Sequence, residues 1–246
     1  MKMKALQFYS PLNVVYEDVE IKDPKEGEVQ VQIKAALTCG TDVKTYRRGH
    51  PVLIKKVPSG FGHEFSGIIT KVGKNVAGFN VGDRVVAANS APCGECFFCK
   101  NGEYNLCEKL EFLNGAYAEY INVPKSIVKR NLLKLPDDLS FEKAAFAEPL
   151  ANVVHGIEKT GIKEGQTVGV VGLGPIGLMF VKLVSIQIPY QMAMSVHSVF
   201  RNLPVCNGTT ELHLHKSLFL FHPIPMHRYG IQSEHLAASS WLSFVY

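Results

Sequence analysis

Short alternations of apolar and polar residues fill the first half of the chain. In "EVQVQIKAA", Val29, Val31 and Ile33 fall on one face and Gln30, Gln32 and Lys34 on the other, which predicts a half-buried strand. "FSGIITKVGKNV" and "GDRVVAANS" read the same way, punctuated by Gly73, Gly78 and Gly82. Up to about residue 135 the pattern predicts a small antiparallel barrel or sandwich. In "LPDDLSFEKAAFAEPLANVVHGIEKTG" the spacing turns helical, with Ser140 as N-cap and Glu142 in the first turn. Pro149 disfavours helical geometry at Glu148, which predicts a bend there with the carboxylate aimed inward.

A buried strand, "TVGVV", and a glycine-rich turn follow. The apolar run from Val168 to Val181 carries four glycines and a proline and falls short of the ~20 residues a membrane span needs. From Ile186 the pattern is lost. Those 61 residues hold three basic, two acidic and six of the nine histidine side chains, with no sustained helical or strand period, so the change is abrupt.

Composition narrows the class. With 246 residues, 46% hydrophobic and 20% charged, the chain is globular and long enough for one large or two modest domains. A net charge of +4, with basic residues interspersed among acids, gives no nucleic-acid footprint. "MKMKALQFYS" has no apolar stretch of the secretory kind, so a cytoplasmic protein without membrane association is expected.

The cysteines sharpen the picture. Cys93, Cys96, Cys99 and Cys107 form a C-x2-C-x2-C-x7-C series in "CGECFFCKNGEYNLC". Four thiolates so spaced can close tetrahedrally around Zn2+ at ~2.3 Å each, tying down a loop too polar to fold on its own core. Metal-free or disulfide-bonded cysteines are the plainer alternative, and an iron-sulfur cluster another, although the bacterial ferredoxin run has a shorter final gap followed by proline. A structural zinc is the favoured reading. Upstream, "TCGTD" supplies Cys39, Thr41 and Asp42, "GFGHEFSG" supplies His63 and Glu64, and "AEPL" supplies Glu148. Singly, each has a structural explanation. Together they offer the cysteine, histidine and carboxylate ligands of a catalytic zinc that keeps one position open.

"CGTD", "GHEFSG", "VGDRV", the four-cysteine lobe, "GAYAEY", "EPL" and "GLGPIG", in that order, resemble the zinc-dependent medium-chain alcohol dehydrogenases, in particular the polyol (sorbitol-type) and threonine-type members. The resemblance covers residues 1 to about 182. It implies a mixed α/β protein: a GroES-like antiparallel β-barrel catalytic domain over 1–135, then linker helices and the first half of a Rossmann NAD(P)-binding domain over 136–185, with substrate between the two domains. By the same resemblance Cys39, His63 and Glu64 are ligands of a catalytic zinc, and Glu148 is a ligand or holds the water on the metal. Thr41 passes the substrate proton outward and Asp42 orients a ligand. The implied substrate is a small alcohol or polyol, and intact relatives of this kind form homo-oligomers.

Gly172, Gly174 and Gly177, with Pro175 and Ile176 between them, fit G-x-G-x-x-G after the strand, the fingerprint of a turn that holds a dinucleotide pyrophosphate. The fingerprint also asks for an acid about 20 residues on, whereas no acid lies between Glu164 and Glu211. The remaining strands of such a domain have no counterpart, so 186–246 reads as a non-homologous, poorly ordered tail from splicing, a frameshift or a gene-model error, or else as a divergent domain. The scattered histidines of that tail do not suggest a metal site. The expected function is hydride transfer from a secondary alcohol, polyol or amino alcohol to NAD or NADP, with two zinc ions and with little or no activity in this truncated chain. The alternative is a non-catalytic zinc-binding remnant or interaction module.

Overall fold

The computed structural model describes residues 1–163, 166, 168–187 and 192–195. They divide into two units, Met1–Pro149 and the part from Leu150 onward. In chain order the first unit runs β1 (Lys2–Ser10), β2 (Asn13–Glu20), β3 (Val29–Leu37), α1 (Gly40–Arg48), β4 (Ser59–Gly60), β5 (Glu64–Val72), β6 (Arg84–Ala87), β7 (Ser90–Ala91), α2 (Phe97–Lys100), β8 (Glu111–Phe112), β9 (Tyr120–Val123), α3 (Lys125–Arg130), β10 (Leu132–Lys134) and α4 (Phe141–Ala144). Helix α5 (Ala147–Thr160) leads into β11 (Val168–Val171), α6 (Pro175–Gln187) and β12 (Met192–Ser195).

The three predicted strands, β3, β5 and β6, form the middle of a five-stranded antiparallel sheet in the order β10-β6-β5-β3-β9, and a three-stranded sheet runs β2-β1-β4. Backbone bonds from Leu6 N–H to the Tyr117 carbonyl (2.8 Å) and from Glu119 N–H to the Lys4 carbonyl (3.1 Å) tie β1 to the segment that precedes β9. The inward faces of β3, β5 and β6 put Val29, Val31, Phe65, Ile69 and Val85 out of water altogether. One residue breaks the predicted alternation. Gln30 is also buried, because its amide donates to the Lys22 carbonyl (3.0 Å) and to Asn122 Oδ1 (3.2 Å), which meets the requirement that a buried amide be hydrogen-bonded.

Where β3 and β5 cross, the register skips a residue, with Ile33 opposite Gly67 and Ala35 opposite Ser66. The backbones come so close there that a Cβ on Gly67 would lie 2.1 Å from the Gln32 carbonyl oxygen. Further along, the Arg84 guanidinium donates to the carbonyls of Pro136 (2.9 Å), Asp137 (2.7 Å) and Leu139 and lies over the Phe141 ring. This clamp fixes the approach to α4, whose N-cap is Ser140 as predicted.

Two features differ from the sequence expectation. Glu148 stands in the first turn of α5 rather than at a bend. A helix tolerates Pro149 there, since the first-turn amides have no partner within the helix and the missing N–H costs nothing. Secondly, α6 continues past Ile186 to Gln187, and β12 pairs in parallel with β11, from Val168 opposite Met192 to Val171 opposite Ser195. The parallel β-turn-α-β order thus extends ten residues beyond the expected break at 185. The remainder of the expected tail, 196–246, lies outside the described residues. Within the second unit, Val184 and Phe180 of α6 pack with Val153 and Ile157 of α5 and with Val168. No helix among the described residues is long and apolar enough to cross a membrane.

Gly67→Ala is expected to destabilise the first unit by about 3 kcal/mol, because backbone rather than a flexible side chain must give way. Urea unfolding monitored by circular dichroism reads this directly; a loss within about 0.5 kcal/mol, the range of an ordinary surface substitution, would show that the crossing relaxes.

Candidate metal centres and dinucleotide turn

The motif "CGTD" is first of all a helix start. Cys39 is the N-cap of α1, its Sγ accepting from Thr41 N–H (3.4 Å), and the Asp42 carboxylate reaches back to Cys39 N–H (2.9 Å), a capping box with sulfur in place of the usual hydroxyl. The same carboxylate serves two further partners. Asp42 Oδ1 lies 3.0 Å from His63 Nδ1, and Oδ2 accepts from the Tyr117 hydroxyl at 2.6 Å. Burial opposes the charge on Asp42, yet the contacts with His63, Tyr117 and the Cys39 amide outweigh it and hold the carboxyl below its ordinary range. Burial and the Asp42 contact in turn hold the Tyr117 phenol well above its ordinary value, so it stays a donor.

His63 sits at the end of the β4–β5 connection, just after Gly62, which has φ +85 and carries the Tyr117 ring where a Cβ would otherwise lie (2.6 Å). With Nδ1 engaged by Asp42, Nε2 is the nitrogen left for a metal, the arrangement by which carboxylates orient metal-binding histidines. Burial lowers the basicity of His63, but the bonds to Asp42 and Cys39 prevail and push it up to about 10. Glu64 opens β5 and is buried. Burial and then the charge of Glu148 push its carboxyl up, so a cation between these groups would relieve both costs.

The side-chain ligand atoms of Cys39, His63 and Glu64 lie within 4.8 Å of one another. Glu148 lies outside that trio and acts on it through its charge on Glu64. Thr41 is buried beside Cys39. Tyr117, not singled out in the sequence except within "GAYAEY", proves to be the third group on Asp42; nothing short of the fold reveals a pairing 75 residues apart.

The second cluster is closed. Cys93, Cys96, Cys99 and Cys107 also hold their sulfurs within 4.8 Å of one another. Two of the separations, Cys93 to Cys99 at 3.9 Å and Cys96 to Cys107 at 4.0 Å, approach the edge of roughly 3.8 Å that a tetrahedron of 2.3 Å metal–sulfur bonds requires. Backbone donors aim at these sulfurs: Cys93 N–H at Cys107 Sγ (3.2 Å) and Glu95 N–H at Cys93 Sγ (3.5 Å). The amides of Cys99 and Glu108 draw the Cys96 thiol down to about 6, while burial pushes Cys99 up to about 12. All four, like Cys39, are unbridged. Four sulfurs at these separations, served by N–H donors, suit a tetrahedral thiophilic cation and leave no open position.

In the second unit each glycine of the turn does a separate job. Gly172 has φ +93, where a side chain is strained. A Cβ on Gly177 would stand 1.8 Å from the Gly172 carbonyl oxygen, so that residue lets α6 pack against the strand, while Gly174 faces open space. Pro175 is the first residue of α6, where its missing N–H leaves no helical bond unmade, and Ile176 is partly exposed beside it. The space beside Gly174 is open, and the first amides of a helix such as this 13-residue one have no partner within it, the kind of donors that can hold an anion. Gly177→Ala is expected to unfold the turn and lower the melting temperature by several degrees, whereas Gly174→Ala should leave it within about one degree; the reverse order would contradict this division of roles.

Residues 25–137 match the alcohol dehydrogenase GroES-like domain. Sorbitol dehydrogenase of Bacillus subtilis is 36% identical over 186 residues, 73% of this chain and 51% of the relative. L-threonine 3-dehydrogenase of the same organism is 39% identical over 73% of this chain and 52% of the relative. Among solved structures, a putative zinc-binding dehydrogenase from Sinorhizobium meliloti bound to NADP superposes with a TM-score of 0.73 at 32% identity, covering 81% of this chain and 57% of the other. The chain spans about half the length of the curated relatives it matches. Its motifs, its sheet domain and its relatives agree that the chain belongs to the zinc-dependent alcohol and polyol dehydrogenase family.

Proposed function

We propose that this chain carries the metal and alcohol machinery of a cytoplasmic, zinc- and NAD(P)-dependent dehydrogenase of polyols, secondary alcohols or amino alcohols such as threonine. One observation carries the reading: a half-buried cysteine converges within 4.8 Å with a buried histidine and a buried glutamate, backed by a carboxylate on the far nitrogen of the histidine. Such a donor set suits Zn2+ with a position to spare. When bound, zinc polarises the alcohol oxygen as a Lewis acid and the nicotinamide accepts the hydride.

The residues of the chain divide the remaining work. Cys39, His63 and Glu64 hold the ion. Asp42 fixes the ring of His63 and is itself held by Tyr117 and the Cys39 amide, so the ligand set is rigid before substrate arrives. Thr41, next to Cys39 at the start of α1, is the hydroxyl we assign to proton transfer outward, and Glu148 tunes Glu64 through its charge. Cys93, Cys96, Cys99 and Cys107 hold a structural zinc. Gly172 to Gly177 seat the cofactor pyrophosphate on the amides of α6. No acid between Glu164 and Glu211 is available to the ribose hydroxyls, and β12, with Ser195 opposite Val171, brings none. The loss of such a charged contact weakens cofactor binding roughly a hundredfold.

Metal analysis of the purified chain is expected to find two zinc ions. Cys96→Ser should remove one and unfold the lobe, since structural zinc contributes ~10 to 16 kcal/mol of apparent binding energy in zinc-finger peptides. Cys39→Ser should remove the other and leave the fold standing. Equal loss of folded protein in both variants would count against this assignment. Titration with NADH, followed by nicotinamide fluorescence, is expected to show weak binding, with little turnover on a panel of polyols, secondary alcohols and threonine. Robust turnover would overturn the weak-cofactor assignment; two zincs with no NADH response at any concentration would favour a zinc-binding interaction module instead.

A further inference from the structure

Several basic side chains of the first unit are matched by acids: Lys4 by Asp18, Lys71 by Asp23, Lys109 by Glu95 and Lys134 by Asp83. One segment departs from this. Residues 43 to 63 hold Lys44, Arg47, Arg48, Lys55 and Lys56 and no acid at all. Without these five, the 26 basic residues of the chain would stand at 21 against 22 acidic, so the segment accounts for the whole positive balance. None of the five forms an ion pair among the described residues.

The segment begins at the candidate metal centre. Lys44, Arg47 and Arg48 lie three and four residues apart on α1, the spacing that brings side chains to one face, and α1 is the helix capped by Cys39. The chain leaves it through Gly49 (φ +75) to His50, whose Nδ1 accepts from the amides of Val52 and Leu53 at 3.2 Å each, folding the following turn back. Burial, and then the positive charges of His63, Arg48 and Lys44, hold His50 below its ordinary value. The basic segment therefore starts on the helix that the candidate ligand Cys39 caps. Helix-dipole complementation accounts for cations in the last turn of α1, but Lys55 and Lys56 come after the helix has ended.

From Thr41 to Arg48 the rise along α1 is about 10 Å, comparable with the length of a pentitol or hexitol chain. A molecule of that length lying along α1 with one hydroxyl at the Cys39–His63–Glu64 cluster would bring its far end to the arginines. Two guanidiniums and up to three ammoniums, unmatched by any carboxylate, suit a phosphomonoester, which carries ≈ −1.5 to −2 charge and three acceptor oxygens, better than a neutral hydroxyl or a monoanion. Resting on the dehydrogenase reading above, we propose that residues 44–56 receive the phosphate of a phosphorylated polyol, so that the substrate class is polyol phosphates rather than free polyols.

The test uses the full chain loaded with Co2+, whose visible absorption responds to ligands at an open site, titrated with sorbitol, sorbitol 6-phosphate, gluconate and inorganic phosphate. Sorbitol 6-phosphate should half-saturate the change at a concentration at least roughly tenfold below that of sorbitol or gluconate. Its 31P signal should broaden more than that of inorganic phosphate at equal concentration. Arg47→Glu with Arg48→Glu should bring the preference over sorbitol to within about twofold, as should Lys55→Glu with Lys56→Glu beyond the helix, should the first pair disturb α1; Lys129→Glu on α3 should leave it intact. Equal responses to sorbitol and its phosphate, or a preference that survives both charge reversals, overturn the proposal alone. Gluconate or inorganic phosphate matching the phosphorylated polyol reduces the segment to a general anion site and overturns the substrate class. If no alcohol of any kind alters the spectrum, the dehydrogenase reading has failed, and this one with it.

Discussion

A single buried carboxylate organises the candidate site. Asp42 has almost no contact with water, and an ionised group in that position is tolerated only when its lone pairs are met by donors. The donors come from three stretches far apart in sequence: the Cys39 amide at the start of α1, the His63 ring before β5 and the Tyr117 hydroxyl before β9. Hydrogen bonds to a charged group contribute about 1.5 to 3 kcal/mol each, and removing one partner of a buried ion pair costs about 3 to 5. The carboxylate therefore fixes the helix, the strand and the loop to one another, and the position of two would-be ligands, Cys39 and His63, follows from it.

The two cysteine-bearing clusters show opposite solutions to the same problem. In the lobe, four sulfurs face one another in a segment with little apolar mass of its own, so the metal would replace a hydrophobic core and the coordination sphere is closed. Around His63 the surroundings are already packed: Phe65 is fully buried two residues away, and Phe61 stacks near Phe8 and meets the Tyr117 ring edge-on. The fold does not need an ion there to stand. A site whose geometry is secured by hydrogen bonds and packing can leave a coordination position for a substrate, whereas one that supplies its own folding energy through the metal cannot.

The glycines follow the same logic of close approach. Gly62 makes room for the Tyr117 ring, Gly67 for the β3 backbone, and Gly177 for the Gly172 carbonyl. For Gly62 and Gly67 the atom that a Cβ would strike belongs to a segment distant in sequence, whereas for Gly177 it belongs to the same glycine-rich turn. At Gly62 and Gly67 the missing side chain is a tertiary requirement written at one position and enforced from another.

Much of this was determined by sequence alone. Alternation in "EVQVQIKAA" suffices to predict β3, since a strand with one wet and one dry face must repeat every two residues. Ser140 caps α4 through a bond to the amide of Lys143, three residues away, and the cysteine spacing encloses one small sphere because the intervening loops are short. These are local matters, decided within a few residues. What the tertiary structure decided depends on partners that spacing cannot supply. Gln30 falls on the expected wet face yet is buried, because Lys22 and Asn122 happen to satisfy its amide. Glu148 stays helical before a proline, because the first turn of α5 has amides to spare. Ser195 pairs with Val171 in a stretch where the sequence has no strand period, because a parallel strand is stabilised by its neighbour's ladder and not by its own pattern. Asp42 and Tyr117 meet across 75 residues, and only the folded chain brings them together.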